Sequence, residues 1–247
     1  MIARIAIILL LATCKALPAE WQLRESQNVT PSFSWKTVAA DRQVALGLVM
    51  VDVRRQTLRV IDNIDGRGNL RSAMEAEGCQ AGVNGGYFHP DRTPLGLVIS
   101  DGKLLHGFER ARLLSGLVVV TRSGQISLLR AAAYKPAPNI WQALQAGPFL
   151  VDGGKPVVGL NSKTRAERTA VLSDNAGLFA LLKCGSVTLA ELAEILSNPK
   201  VISELRVRRA LNLDGGSSSG MWVRGEARAF YHPELKTVRN YLAVVWR

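Results

Sequence analysis

The chain has 247 residues and a formal charge of +11, with hydrophobic residues at 47% and charged residues at 21%. This length can bury a sizeable core and favours one large domain, and no internal repeat, low-complexity tract or linker divides it. The positive charge favours encounter with anionic partners. The basic residues are scattered and not interleaved with aromatics as a stacking groove requires, which argues against nucleic acid as the partner.

Residues 1–19, MIARIAIILLLATCKALPA, read as an export signal: a basic start at Arg4, an apolar run from Ile5 to Ala12, and small residues suited to cleavage near Ala19. The run is too short for a stable membrane span. Lipid anchoring at Cys14 is disfavoured by the bulk of Thr13. Removing the signal takes away Arg4 and Lys15 and lowers the formal charge by two, to +9. The expected destination is periplasmic or secreted. Cys79 and Cys184 then remain, either as a disulfide pair in an oxidising compartment or as buried thiols beside apolar runs.

In chain order, residues 20–43 are expected to be a loose polar lead-in to one domain at 44–247. VALGLVMVDV and TLRVID are β-rich and, joined by Arg-Arg-Gln, predict a hairpin. NLRSAMEAEG predicts a short amphipathic helix stopped at Gly78. CQAGVNGGYF then predicts a strand broken by a double glycine. Asp101-Gly102 and Ser123-Gly124 are turn dipeptides inside strand pairs, and RTAVLSD with LFALLKC predicts a further hairpin around Asn175 to Gly177. In SVTLAELAEILSN, Leu189, Leu192, Ile195 and Leu196 share a helical face behind Thr188 as N-cap, and Glu191 completes a capping box. RALNLDGG and YLAVVW supply the last strands. The expected class is α+β: a single domain with a largely antiparallel or mixed β-sheet and a few helices.

Two stretches share a design. AGVNGGYF ends a buried strand at Asn84 before Gly85-Gly86, and LNLDGG ends one at Asp214 before Gly215-Gly216. Consecutive glycines can turn N–H groups toward a ligand and let it approach the backbone, although both are also ordinary turn sequences. Gly147-Pro148 puts a rigid bend in an apolar run. Arg168 opens a strand, where it is either a solvated charge or a planar fork for a phosphate or carboxylate.

In this order, Asn-Gly-Gly-Tyr-Phe (Asn84 to Phe88), Gly147-Pro148, Arg-Thr-Ala (Arg168 to Ala170) and Leu-Asp-Gly-Gly-x-Ser-Ser-x-Met (Leu213 to Met221) resemble the phosphodiester glycosidase domain family, from about Val44 to Arg247. The sequence departs from the family pattern at Ser217, where a third glycine is usual, and at Leu172, where glycine is usual and leucine is expected either to narrow the cleft or to change what fits there. The resemblance implies hydrolysis of a sugar 1-phosphodiester, with a small or polymeric phosphorylated glycan as partner, of the kind linked to exopolysaccharide or envelope glycans. It casts Asp214 as the catalytic carboxylate. Asn84, Gly85, Gly86, Tyr87, Arg168, Gly215, Gly216, Ser218 and Ser219 become the substrate-binding set, with the glycine N–H groups and Arg168 facing the phosphate. The rival readings are a non-catalytic anionic-glycan-binding protein of the same fold and a phosphodiesterase that cuts the P–O bond. No cofactor is required; the oxygen ligands at Asp214 and Asn84 are of the type calcium or magnesium accepts.

Overall fold

The computed structural model describes residues 20–247. The expected export signal and Cys14 lie outside the described residues. Three sheets carry the chain, and every strand pairing among the described residues is antiparallel. The largest has eight strands, ordered Gln22–Thr30, Phe33–Ala39, Gln43–Val51, Phe179–Val187, Ala166–Ser173, Arg209–Asn212, Phe149–Asp152 and Lys155–Pro156. A five-stranded sheet runs Lys103–His106, Val98–Ser100, Ile140–Ala146, Gly116–Thr121, Ile126–Arg130. The other five-stranded sheet runs Phe230–His232, Met221–Val223, Ala81–Asn84, Asn240–Trp246, Gln56–Asp62.

Inner faces of all three sheets meet in one core, which holds Val49, Val171 and Leu211, Val118 and Leu144, and Val83 and Leu242. The opposite face of the large sheet packs Ala170, Leu172 and Leu182 against Leu192, Ile195 and Leu196 of helix Leu189–Ser197. The period-2 alternation of a strand explains this split: Val171 enters one core while its neighbours enter the other. Burial on both faces also explains why these strands read as continuous apolar runs. A smaller cluster sets Met74 of helix Leu70–Ala76 against Trp222 and Tyr241. Both α-helices start with capping boxes, Asn69 with Ser72 and Thr188 with Glu191. The α+β expectation therefore holds with the balance strongly toward β.

Three sequence expectations change, and the choice left open for the two cysteines is decided. The lead-in at 20–43 is not loose: Gln22–Thr30 and Phe33–Ala39 form the edge of the large sheet, in register from Gln22 opposite Ala39 to Thr30 opposite Phe33. A solvated, polar edge strand lacks the apolar alternation by which strands are recognised. Gln43–Val51 and Gln56–Asp62 do not pair; a turn closed by Gln56 N–H to the Asp52 carbonyl sends the chain into a different sheet. Cys79 and Cys184 are free buried thiols in separate cores. Their separate positions rule out a cross-link between them, and burial pushes the thiols up to about 11 and about 12 respectively, which disfavours the reactive thiolate. Leu172 lies in the helix-facing core and narrows no cleft.

Candidate active site

The two glycine-flanked strand ends meet. Asn84, fully buried, donates from Nδ2 to the Asp214 carbonyl at 2.7 Å. Its Oδ1 accepts from the Thr169 hydroxyl at 2.9 Å and the Gly220 N–H at 3.2 Å. Asp214 N–H returns a bond to the Gly85 carbonyl at 3.1 Å, and the Thr169 hydroxyl is also 3.0 Å from the Asp214 carbonyl. Asn84 is thus a clamp between strands, its side chain turned to protein and not to a ligand.

The N–H groups of Gly85 and Gly86, expected to face a phosphate, are both taken by Asn240: by its carbonyl at 2.9 Å and its Oδ1 at 2.8 Å. Glycine is required at 85 because a Cβ would lie 2.0 Å from Asn240 Oδ1 and 2.8 Å from its carbonyl. The close approach that a double glycine allows is made here by the protein's own backbone. Tyr87 is similarly engaged. Its hydroxyl donates to the Gly147 carbonyl at 2.6 Å and accepts from Asn212 Nδ2 at 3.0 Å, and burial with the nearby Asp214 charge pushes the phenol well above its ordinary range.

What remains open is the second turn. Asp214 is half-buried, and burial raises its pKa above the usual aspartate value against the opposing pull of the Ser218 hydroxyl, the Gly215 N–H, Lys236 and Arg168. Gly215 N–H donates to Asp214 Oδ1 at 2.8 Å. Arg168 lies over Gly215, where a Cβ would sit 3.3 Å from its Nη1. The guanidinium is held by the Thr164 carbonyl through Nη2 at 3.1 Å, leaving Nη1 without a protein acceptor among the described residues. Burial lowers the Arg168 pKa, but a guanidinium stays charged at any physiological pH, and desolvation strengthens its field at Asp214. Gly216 has φ +64°, a left-handed conformation that opens the short 3-10 turn Gly216–Ser218. Ser218 and Ser219 are buried beneath it, and Ser219 Oγ has no partner among the described residues. Ser217, exposed, accepts at its carbonyl from Leu235 and Lys236 N–H at 2.8 and 3.0 Å, fastening the segment that brings Lys236 toward Asp214.

Four residues of this cluster escaped sequence reasoning as site components: Thr169, Asn212, Asn240 and Lys236. Asn212 left one legible sign, a polar side chain between apolar, buried Leu211 and Leu213, whereas Asn240 follows Arg239 and left none; Asn212 Oδ1 and Asn240 Nδ2 are both buried without a partner among the described residues. Lys236 left none. No group of three or more His, Cys, Asp or Glu side chains gathers as a metal site among the described residues. No helix among them is long and apolar enough to cross a membrane.

An antiparallel three-sheet fold in which two glycine-flanked strand ends clasp one carboxylate beside an arginine defines the class. Residues 77–245 match the sequence profile of the phosphodiester glycosidase family, and the chain belongs to that family. No curated protein matches the chain. Among solved structures, the fold is similar to the catalytic domain of zebrafish N-acetylglucosamine-1-phosphodiester alpha-N-acetylglucosaminidase auto-inhibited by its pro-peptide, with TM-score 0.67 and 18% identity, covering 94% of this chain and 89% of that one. A hypothetical protein of Synechocystis is similar at TM-score 0.60 and 18% identity, over 94% of this chain and 64% of that one. An exported-protein candidate of Burkholderia pseudomallei follows at TM-score 0.53 and 15% identity, over 85% and 74%.

Proposed function

We propose that the chain is an exported hydrolase that cleaves a sugar 1-phosphodiester to free sugar and a phosphate monoester, in the turnover of exopolysaccharide or envelope glycan. The observation that carries this reading is Asp214: a half-buried carboxyl with a raised pKa, held by its own glycine turn next to a desolvated arginine. Family membership and the fold shared with the zebrafish glycosidase support it.

The chemistry suits one carboxylate. An alkoxide leaving group needs a second carboxylic acid to protonate it, whereas a phosphate monoester, with its second pKa of about 6, departs without one. Asp214 activates water or stabilises positive charge at the anomeric carbon. Arg168 with the Gly216 N–H stabilises charge on the departing phosphate, while Gly215 N–H and the buried Ser218 hold the Asp214 carboxyl and Ser219 lies beneath the turn. Asn84, Gly85, Gly86 and Tyr87 act one step back, fixing the backbone that presents Asp214.

The test is sugar release from a panel of sugar 1-phosphodiesters, α-N-acetylglucosamine included, by wild type, Asp214→Asn and Arg168→Ala. Loss of a general base is expected to cost about 10²- to 10⁴-fold in turnover, and loss of the phosphate donor about 10²- to 10³-fold. Run in ¹⁸O water, the label is expected in the sugar. Label in the phosphate would overturn C–O cleavage in favour of a phosphodiesterase, and saturable binding without release from any substrate would leave a glycan-binding protein.

A further inference from the structure

Residues 107–115 have no regular secondary structure, yet a buried side chain ties them down. Gln145, fully buried, donates from Nε2 to the carbonyls of Glu109 and Leu114 at 2.7 and 3.2 Å. Its Oε1 accepts from the N–H groups of Glu109 and Leu97 at 3.1 and 2.9 Å. The loop then passes so close to the Gly147 backbone that a Cβ there would lie 2.0 Å from the Leu113 carbonyl. Gly147 is the residue whose carbonyl anchors Tyr87. A surface loop clamped this way is preorganised, and the Tyr87 hydroxyl, between the Gly147 carbonyl and the Leu213 carbonyl at 3.2 Å, links it to the residue before Asp214.

The outer side of this loop forms a groove of about 880 Å³ whose walls include Phe108, Arg110, Arg112, Arg130, Tyr134 and Pro136. Phe108 and Tyr134 are stacked at 5.4 Å and 14°, giving a continuous aromatic wall. Arg110 and Arg112 are exposed, and neither has a carboxylate partner among the described residues. The one acid lining the groove, Glu109, is engaged by the protein, accepting from Gly96 N–H at 3.0 Å and lying 3.6 Å from His106. Arg130 is spent on Asp152 at 2.8 Å and on the face of Phe149, so it braces the wall.

We infer that this groove is a binding subsite for an anionic oligosaccharide, the part of a long phosphate-bearing substrate that lies beyond the bond at Asp214. The inference rests on the reading of the Asp214 site as a sugar-phosphodiester cleft. Two guanidinium forks with no protein acid match phosphate or carboxylate oxygens. The aromatic wall matches the apolar C–H face of a pyranose ring. A nucleic acid is a poorer fit, since Phe108 and Tyr134 stack on each other and leave no run of separate platforms for successive bases. The natural substrate class is therefore a polymer or long oligomer and not a small sugar phosphodiester.

The test is calorimetric titration of the full-length Asp214→Asn protein, whose turnover is expected to be about 10²- to 10⁴-fold slower than that of wild type. The probes are a hexamer of sugar 1-phosphodiester repeats, the single repeat, a neutral hexasaccharide, and a single-stranded oligonucleotide of equal charge. The hexamer is expected to bind at least about tenfold more tightly than the single repeat, and Arg110→Ala/Arg112→Ala to remove that gain, as expected for losing hydrogen bonds to charged groups. A charge-matched pair elsewhere, Arg54→Ala/Arg55→Ala, is expected to change hexamer affinity by about twofold or less. Unchanged thermal unfolding of the Arg110/Arg112 variant separates loss of binding from loss of fold. Equal binding of neutral and charged hexamers, an Arg110/Arg112 variant that keeps the gain, or an oligonucleotide that binds as tightly as the hexamer would each overturn the inference. These readouts involve no bond cleavage, so they stand or fall separately from sugar release by the wild type.

Discussion

Replacing Asn84 tests the clamp on which the site is built. In Asn84→Ala the Gly220 N–H loses its acceptor in a buried environment, and the Asp214 carbonyl keeps only the Thr169 hydroxyl. An orphaned buried donor costs about 1–3 kcal/mol and each lost neutral hydrogen bond about 1 kcal/mol, which puts the total near 3–4 kcal/mol with the small cavity included. Against a typical stability of about 5–15 kcal/mol the variant still folds. At about 2–4 °C per kcal/mol for a domain of this size, its midpoint should fall by roughly 10 °C in a thermal melt. Asn84→Asp is the sharper probe. It keeps the shape but turns a carboxyl oxygen toward the Asp214 carbonyl, which only a protonated carboxyl can satisfy. Its folded pKa is therefore raised above the unfolded value of about 3.9, so stability is retained below that pH and lost as pH rises through the folded pKa. Melts of Asn84→Asp should lie close to wild type near pH 4 and well below it at pH 8. Wild-type stability of this variant at pH 8 would refute the donor role of Nδ2 and the clamp with it.

Gly85→Ala should destabilise by about 2–4 kcal/mol, because the Asn240 backbone cannot yield and both glycine N–H bonds to Asn240 are disturbed. Gly107→Ala, with nothing within 4 Å of the added Cβ, should stay within about 0.5 kcal/mol of wild type by denaturant titration. Glu191 concerns pH. Burial opposes its ionisation, but the Arg165 hydrogen bond, the Thr188 N–H and the Arg42 charge together bring its pKa down from 4.5 to about 2. A lowered folded pKa gives stability that is present above 4.5 and lost as pH falls toward 2. Glu191→Gln should therefore be less stable than wild type at pH 7 by about 1 kcal/mol, after discounting for solvent screening of its exposed arginine partner. The gap should close in melts between pH 4.5 and 2. An unchanged gap across that range would mean that the ion pairs contribute nothing.

The sequence by itself determined those features whose cause is local. Asp101-Gly102 takes positive φ at both residues and closes its predicted hairpin; Asn175 and Gly177 do the same for theirs. The Thr188 and Glu191 capping box forms as spaced. The strand carrying Asn84 ends directly before Gly85, the strand leading to Asp214 ends two residues earlier at Asn212, and the motif order by which the chain resembles its family lies within residues 77–245. In each case the information is contained within a few residues, where backbone conformation and capping chemistry act. Tertiary structure decided the partners. Whether Gly85 and Gly86 N–H groups face a phosphate or a protein acceptor depended on Asn240, 154 residues from Gly86. Whether Leu172 lines a cleft or a core depended on which sheet face helix Leu189–Ser197 covers. Whether Gln43–Val51 pairs with the strand that follows it depended on sheets assembled from distant segments. A glycine pair permits close approach without specifying what approaches, and an apolar run demands burial without specifying against what; packing of the three sheets supplies both answers.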